Sequence, residues 1–267
     1  MPELVFIEGV SGVGKSTMTR ALAEDLRALG YSVREYLEFD YTNPIDFYST
    51  AYFSLKEYNT LCAVHLQIAD LIRENTVCAG NAMLVRYYDQ DTPLFSGPLL
   101  ADLAEHEFCY HPKHLVPLAK YSAAYEAVWR NWAANLDETY DFFIFDGSLL
   151  HHPINDMMRN YGVDGEGALP HILTLLRALG SLKRHIFYIK TDQIGKQLAK
   201  AHLDRNQDIP TEQQIAFWEQ RYQNDQIVLQ NIPEETQCFD VSAGNWGAVR
   251  GQILKQLTQN GIGGESK

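Results

Sequence analysis

The chain has 267 residues, 46% of them hydrophobic, which is enough apolar surface for a large core in one domain. Its formal net charge of -12 excludes the broad basic footprint that nucleic acid or an anionic membrane surface would need, so no nucleic-acid or membrane partner is expected and a small acceptor is. Cys62, Cys78, Cys109 and Cys238 form no C-x-x-C pair, which excludes a zinc ribbon or disulfide framework.

Leu4-Val5-Phe6-Ile7 reads as a buried parallel strand, and Gly9 to Thr17 then match the phosphate-binding pattern G-x-x-x-x-G-K-[ST] without a mismatch. Met18, Leu22, Leu26 and Leu29 follow at helical spacing up to Gly30. Glycines let backbone N–H groups wrap a phosphate chain, so Gly9, Ser11, Gly12, Val13, Gly14, Lys15, Ser16 and Thr17 are the expected nucleotide contacts. Lys15 is expected to face solvent and reach the outer phosphates, and the Ser16 hydroxyl to ligate Mg²⁺. ATP with Mg²⁺ is the expected pair, with GTP left open.

Ser32 to Leu37 reads as a second strand, giving a β-α-β opening with a right-handed crossover. The acids that follow it, Glu38 and Asp40, are candidates for accepting a proton from an acceptor hydroxyl, with Glu38 preferred and plain loop acids as the alternative. Residues 54–75 read as mostly helical, 82–88 as a strand or rim segment, and 89–117 as irregular, so that 80–117 forms an acceptor-side insertion. A helix over 118–136 carries Tyr121, Tyr125, Val128, Trp129 and Trp132 as a core stripe.

Asp141 to Gly147 is an apolar strand ending in Asp, the look of a Walker B strand. Asp146 is therefore the candidate metal partner of Ser16, with a turn cap as the alternative. His151 and His152 follow directly, and either touch the acceptor or pack at a helix start. A strand over 184–190 precedes a segment, 192–210, in which Lys196 and Lys200 share a helix face and Arg205 follows. This basic cluster reads as a lid over the triphosphate, or else as a solvated helix face. Cys238 to Ser242 is a last strand, 246–257 a helix, and 261–267 a frayed tail. His106, Cys109, His111 and His114 match no zinc module.

This layout resembles the P-loop kinases of the thymidylate kinase and deoxynucleoside kinase type, and poorly characterised bacterial thymidylate-kinase-like proteins. The latter likeness is carried by Pro44 to Phe53 and His152-Pro153-Ile154. The resemblance implies a three-layer α/β P-loop fold with a mainly parallel sheet flanked by helices, a helical lid and an acceptor-side insertion within one domain over 1–260. It also implies Glu38 as the acid after the second strand, and Ser242-Ala243 as a loop packing against adenine. Asp146-Gly147-Ser148 departs from the family in lacking the arginine that grips phosphate, which weakens a nucleoside monophosphate as acceptor or moves the arginine to Arg86, Arg130 or Arg159. Ile189-Lys190-Thr191-Asp192 lacks the Asn or Thr of a guanine-reading motif. The resulting expectation is a cytoplasmic ATP·Mg-dependent phosphotransferase for a small hydroxyl-bearing molecule, with Lys15, Glu38, Asp40 and Arg205 in catalysis and Lys200 on the nucleotide. A nucleotide-dependent sensor ATPase without such an acceptor is the alternative, and a homodimer is compatible with either.

Overall fold

The computed structural model describes residues 1–259; the tail expected over 261–267 lies outside them. In chain order the elements are β1 (Glu3–Glu8), α1 (Lys15–Ala28), β2 (Val33–Tyr36), β3 (Thr50–Ser54), α2 (Leu55–Val64), α3 (Ala69–Glu74), β4 (Thr76–Ala79) and β5 (Ala82–Arg86). There follow β6 (Tyr88–Asp89), β7 (Thr92–Pro93), α4 (Gly97–Glu105), α5 (Leu118–Ala134), β8 (Phe142–Asp146), α6 (His151–Tyr161) and α7 (Gly165–Ala178). The chain continues through β9 (Arg184–Lys190), α8 (Ile194–Asp204), α9 (Glu212–Asn231), β10 (Thr236–Asp240) and α10 (Trp246–Gln259).

The fold is mixed α/β, with a parallel central sheet flanked by helices, as the sequence leads one to expect. The chain forms two compact units, and the residues between β2 and β8 carry a core of their own. The first comprises Met1–Glu38, Asp137–Asn155 and the chain from Leu182 onward. Its five strands run in the order β10-β9-β1-β8-β2, every pair parallel. Strands buried on both faces need apolar runs, and Leu4 to Ile7 and Phe142 to Phe145 supply them in the middle of the sheet. β1 pairs with β8 in a register that sets Ile7 opposite Asp146, so the Walker-type aspartate stands beside the residue two places before Gly9. α1 packs its Met18, Leu22, Ala23 and Leu26 into the same core as Val249, Ile253 and Leu257 of α10.

The second unit comprises Phe39–Leu136 and Asp156–Ser181. It contains an antiparallel sheet in the order β3-β5-β4, and β3 and β4 flank the segment 54–75 expected to be mostly helical. Its region 89–117, expected irregular, includes α4, whose Leu99 and Leu103 are buried one turn apart. On α5, Tyr121, Tyr125, Val128 and Trp129 of the expected stripe are buried and Trp132 only partly so, and Trp129 donates its indole N–H to the Ile45 carbonyl at 3.2 Å. Arg86 donates to the carbonyls of Tyr41 and Asn43, which employs that arginine in holding its own unit's loop. Burial pushes the carboxyl groups of Glu107 and Asp156 up to about 8 and about 6. No helix among the described residues is long and apolar enough to cross a membrane.

Candidate active site

All the residues assembled around the phosphate loop belong to the first unit. The chain leaves β1 at Glu8 and turns at Gly9, where φ is +142° and an added Cβ would stand 2.3 Å from the carbonyl oxygen of Ile189 in β9. Neighbouring backbone leaves no room for a side chain there. Gly14, at φ +85°, is the N-cap of α1, and a Cβ on it would meet the Trp246 ring at 2.9 Å. No side chain caps that helix, so its first N–H groups are available to an anion.

Lys15 departs from expectation. It is only 6% exposed, its ammonium donating to the Val10 carbonyl at 3.2 Å and lying 3.4 Å from His151 Nδ1. The loop's own carbonyl occupies the ammonium, which folds the side chain inward. His151 is itself buried, its Nδ1 3.0 Å from the Gly9 carbonyl and its ring stacked on Trp218 with centroids 5.4 Å apart. Burial, and then the nearby charges of Lys15 and Arg221, hold the His151 pKa well below the usual imidazole value.

Asp146 is fully buried at the end of β8. Its Oδ2 faces the Glu38 backbone N–H at 3.4 Å, while Oδ1 has no donor among the described residues. The buried Asp146 Oδ1 without a donor and the hydroxyl of Ser16, which lines the pocket over the loop where Asp146 does not, are hard oxygens of the kind Mg²⁺ takes. The Glu38 carboxylate lies 3.8 Å from the Nε2 atoms of both His151 and His152.

A pocket of about 630 Å³ opens over the loop. It brings together Ser11, Gly12, Gly14, Lys15, Ser16, Thr17, Glu38, Lys200 and Arg205, all anticipated from the sequence. Five basic side chains line it, with Arg20 and Arg250 joining the three just named, against the acids Glu38 and Asp204. In a chain of net charge -12 this is a local reversal suited to a polyanion. Gly9 and Val13 lie buried beneath the loop. Asp40 belongs to the second unit, where its Oδ1 accepts from Thr42 N at 2.8 Å and Thr42 Oγ1 at 2.7 Å. Ser242 and Ala243 do not line the pocket; the Ser242 hydroxyl accepts from Asp192 N at 2.9 Å, and Trp246, Gly247 and Arg250 of α10 line it instead. Arg130 is exposed and paired with Glu126.

Three features were not read from the sequence. Trp246 lies against Gly14. Arg221 and Asp225 form a fully buried ion pair at 2.7 Å, with Arg221 also donating to the Leu150 carbonyl and Tyr188 Oη donating to Asp225. Glu8 is fully buried, and its two carboxylate oxygens accept from Leu149 N and His151 N, each at 2.9 Å. An acid closing an apolar strand was the visible signal for Glu8.

Burial raises the Glu8 carboxyl to about 7, with the N–H bonds from His151 and Leu149 acting in the opposite sense. The folded value exceeds the ordinary one of 4.5, so the folded state holds this proton more tightly. Its contribution is complete below about pH 4.5 and is lost as pH rises through about 7, by up to roughly 1.4 kcal/mol per pH unit in that window. Glu8→Gln is therefore expected to flatten the fall of melting temperature across this range; a slope equal to the parent's would mean that Glu8 is ionised throughout.

No protein-family model matches the chain, and neither does any curated protein. Among solved structures it is similar to a thymidylate kinase from Candida albicans, at 14% identity over 97% of this chain and 92% of that one, with a TM-score of 0.46. It is also similar to a gluconokinase from Sinorhizobium meliloti 1021, at 13% identity over 97% and 93% of the two chains, with a TM-score of 0.40.

Proposed function

We propose that the protein is an ATP- and Mg²⁺-dependent phosphotransferase acting on the hydroxyl of a small molecule, nucleoside-like or another metabolite or antibiotic. The observation that carries this reading is the single pocket in which the phosphate loop, the basic residues of the α8 segment and the Glu38 carboxylate meet. The loop N–H groups and the start of α1 cradle the phosphates. Lys15 turns from the Val10 carbonyl to the outer phosphates, and Lys200 and Arg205, on a lid formed by 192–210, neutralise charge from the other side. Ser16 and Asp146 would hold Mg²⁺, which would supply neutralisation of phosphate charge. Glu38 takes the acceptor's proton as the acceptor oxygen bonds to the γ-phosphorus and the bond to the β,γ-bridging oxygen breaks; ADP leaves.

The test is a thermal-shift screen of nucleosides, sugars and antibiotic-like alcohols with a non-hydrolysable ATP analogue, followed by ³¹P NMR of the hits with ATP. A phosphorylated product is expected. No stabilisation by any nucleotide overturns the reading, and ATP hydrolysis that no acceptor changes replaces it with a sensor ATPase.

Asp146→Asn is expected to raise the Mg²⁺ concentration needed for half-maximal turnover about 10- to 100-fold, while nucleotide affinity changes little. An unchanged Mg²⁺ titration would remove Asp146 from the metal. Arg205→Ala is expected to lower turnover about tenfold and the Michaelis constant for ATP to change less, because its charge acts on the transferring phosphate. Loss confined to ATP affinity would mark a ground-state tether.

A further inference from the structure

Glu38, His151 and His152 present a carboxylate oxygen and two ring nitrogens within 4.8 Å of one another, with both histidines buried. We infer that these three side chains form a site for a borderline transition ion such as Zn²⁺ or Co²⁺, separate from the Mg²⁺ position, whose occupation withdraws Glu38 from proton acceptance. The regulatory part rests on the phosphotransferase reading above, and the metal site does not.

The donor chemistry separates the two ions. Imidazole nitrogen favours first-row transition ions, whereas Mg²⁺ takes oxygen ligands, of which Asp146 and Ser16 offer a set of their own. The spacing also fits. Two ligands about 2.0 to 2.2 Å from a tetrahedral ion stand roughly 3.3 Å apart; Glu38 Oε1 lies 3.8 Å from each Nε2, about half an ångström more than that, and the two histidine donors, within 4.8 Å of one another, close by up to about 1.5 Å to complete the set.

The second shell already holds one ligand ready. A carbonyl can only accept, so the 3.0 Å contact from His151 Nδ1 to the Gly9 oxygen favours the ring proton on Nδ1 and a lone pair on Nε2, the atom that faces Glu38, against the longer 3.4 Å approach of the Lys15 ammonium to the same Nδ1, which favours the reverse. Asn155 Nδ2, 3.4 Å from the same Nε2, is a donor and agrees with that tautomer. The stacked Trp218 ring fixes the plane of the imidazole. Metal-binding histidines are usually oriented by such an outer hydrogen bond. Glu38 also lines the nucleotide pocket, which gives an ion a route to the site.

Ligation and base catalysis compete for one carboxylate. With an ion bound, the Glu38 lone pairs are directed to the metal and cannot take the acceptor's proton, so the ion inhibits turnover without competing with ATP. A chelator selective for transition ions over Mg²⁺ restores it.

The experiment is a Co²⁺ titration of the full chain followed by visible absorption, with equilibrium dialysis for stoichiometry. One Co²⁺ per chain with d–d bands is expected, weakened about tenfold or more in His152→Asn and in Glu38→Gln and unchanged in the surface variant His111→Asn. No bands at saturating Co²⁺, or equal binding in the parent and both site variants, overturns the inference. Should either buried-site variant fail to fold, X-ray absorption of the Zn²⁺-loaded parent decides. Two imidazoles and no sulfur support the site, and any other ligand set overturns it. Nucleotide binding measured on the same preparations keeps the two readings apart. Normal nucleotide binding without a Co²⁺ site removes only this inference, and a Co²⁺ site without nucleotide binding removes the phosphotransferase reading and the regulatory part with it, leaving the metal site.

Discussion

Replacing Lys15 with alanine is expected to lower phosphoryl transfer by at least about 10²- to 10³-fold, the usual effect of deleting one donor that stabilises transition-state charge. Lys15 starts α1 and lines the pocket over the loop, within reach of any phosphate seated on the helix N-terminus. Its burial adds a second effect that a solvent-facing lysine would not have. The stem is packed inside, so alanine also removes apolar volume worth roughly 0.8 kcal/mol for each lost methylene. Lys15→Met keeps the stem and removes only the charge. Both variants should therefore lose turnover, and the alanine variant should melt lower than the methionine one. If ATP affinity and turnover both match the parent, the nucleotide assignment fails.

Glu38→Gln is expected to slow transfer by roughly 10²- to 10⁴-fold while ATP affinity stays near that of the parent. Glutamine keeps the size and loses the lone-pair basicity, so the variant isolates proton acceptance from packing. The motivating geometry is that Glu38 lines the same pocket as Lys15 and Ser16 and follows β2 directly after Tyr36 and Leu37. A single-turnover measurement at saturating ATP is the suitable readout. A rate within a factor of about three of the parent would leave the base unidentified, because Asp40 already spends its Oδ1 on the Thr42 turn.

The loop from Gly9 was legible because its requirement is contiguous: eight residues, Gly9 to Ser16, specify a backbone path, a lysine and a hydroxyl, with no distant partner needed. β8 was legible for a related reason, since a strand buried on both faces must be apolar throughout and Asp146 breaks the run. α9 was not. Its inward side includes Arg221, Asn224 and Asp225, which hydrophobic periodicity reads as a solvent face, and only tertiary structure shows that Arg221 and Asp225 neutralise each other. β3 and β4 escaped because each is short and pairs antiparallel with β5, a partner that a local pattern does not name. The approach of Glu38 to His151 and His152 joins residues more than a hundred positions apart, and Glu38 was read as a proton acceptor and the histidines as acceptor contacts or helix-start packing, without a link between them. Ser242 and Ala243 were proposed for the adenine from the family resemblance alone, and the pocket wall at Trp246, where α10 begins three residues later, had no signal in that resemblance.

The 2.3 Å approach of a virtual Gly9 Cβ to the Ile189 oxygen has a genetic consequence. Every amino acid reachable from a glycine codon by one base change carries a Cβ, so no single-base missense change at this codon can be silent. In a saturation library selected only for folded protein, before any demand for activity, codon 9 should return glycine almost alone, while Gly30, with open space around its virtual Cβ, should admit residues that tolerate positive φ. Purifying selection at codon 9 would then report on the close passage of two neighbouring strand ends, whatever molecule the pocket holds.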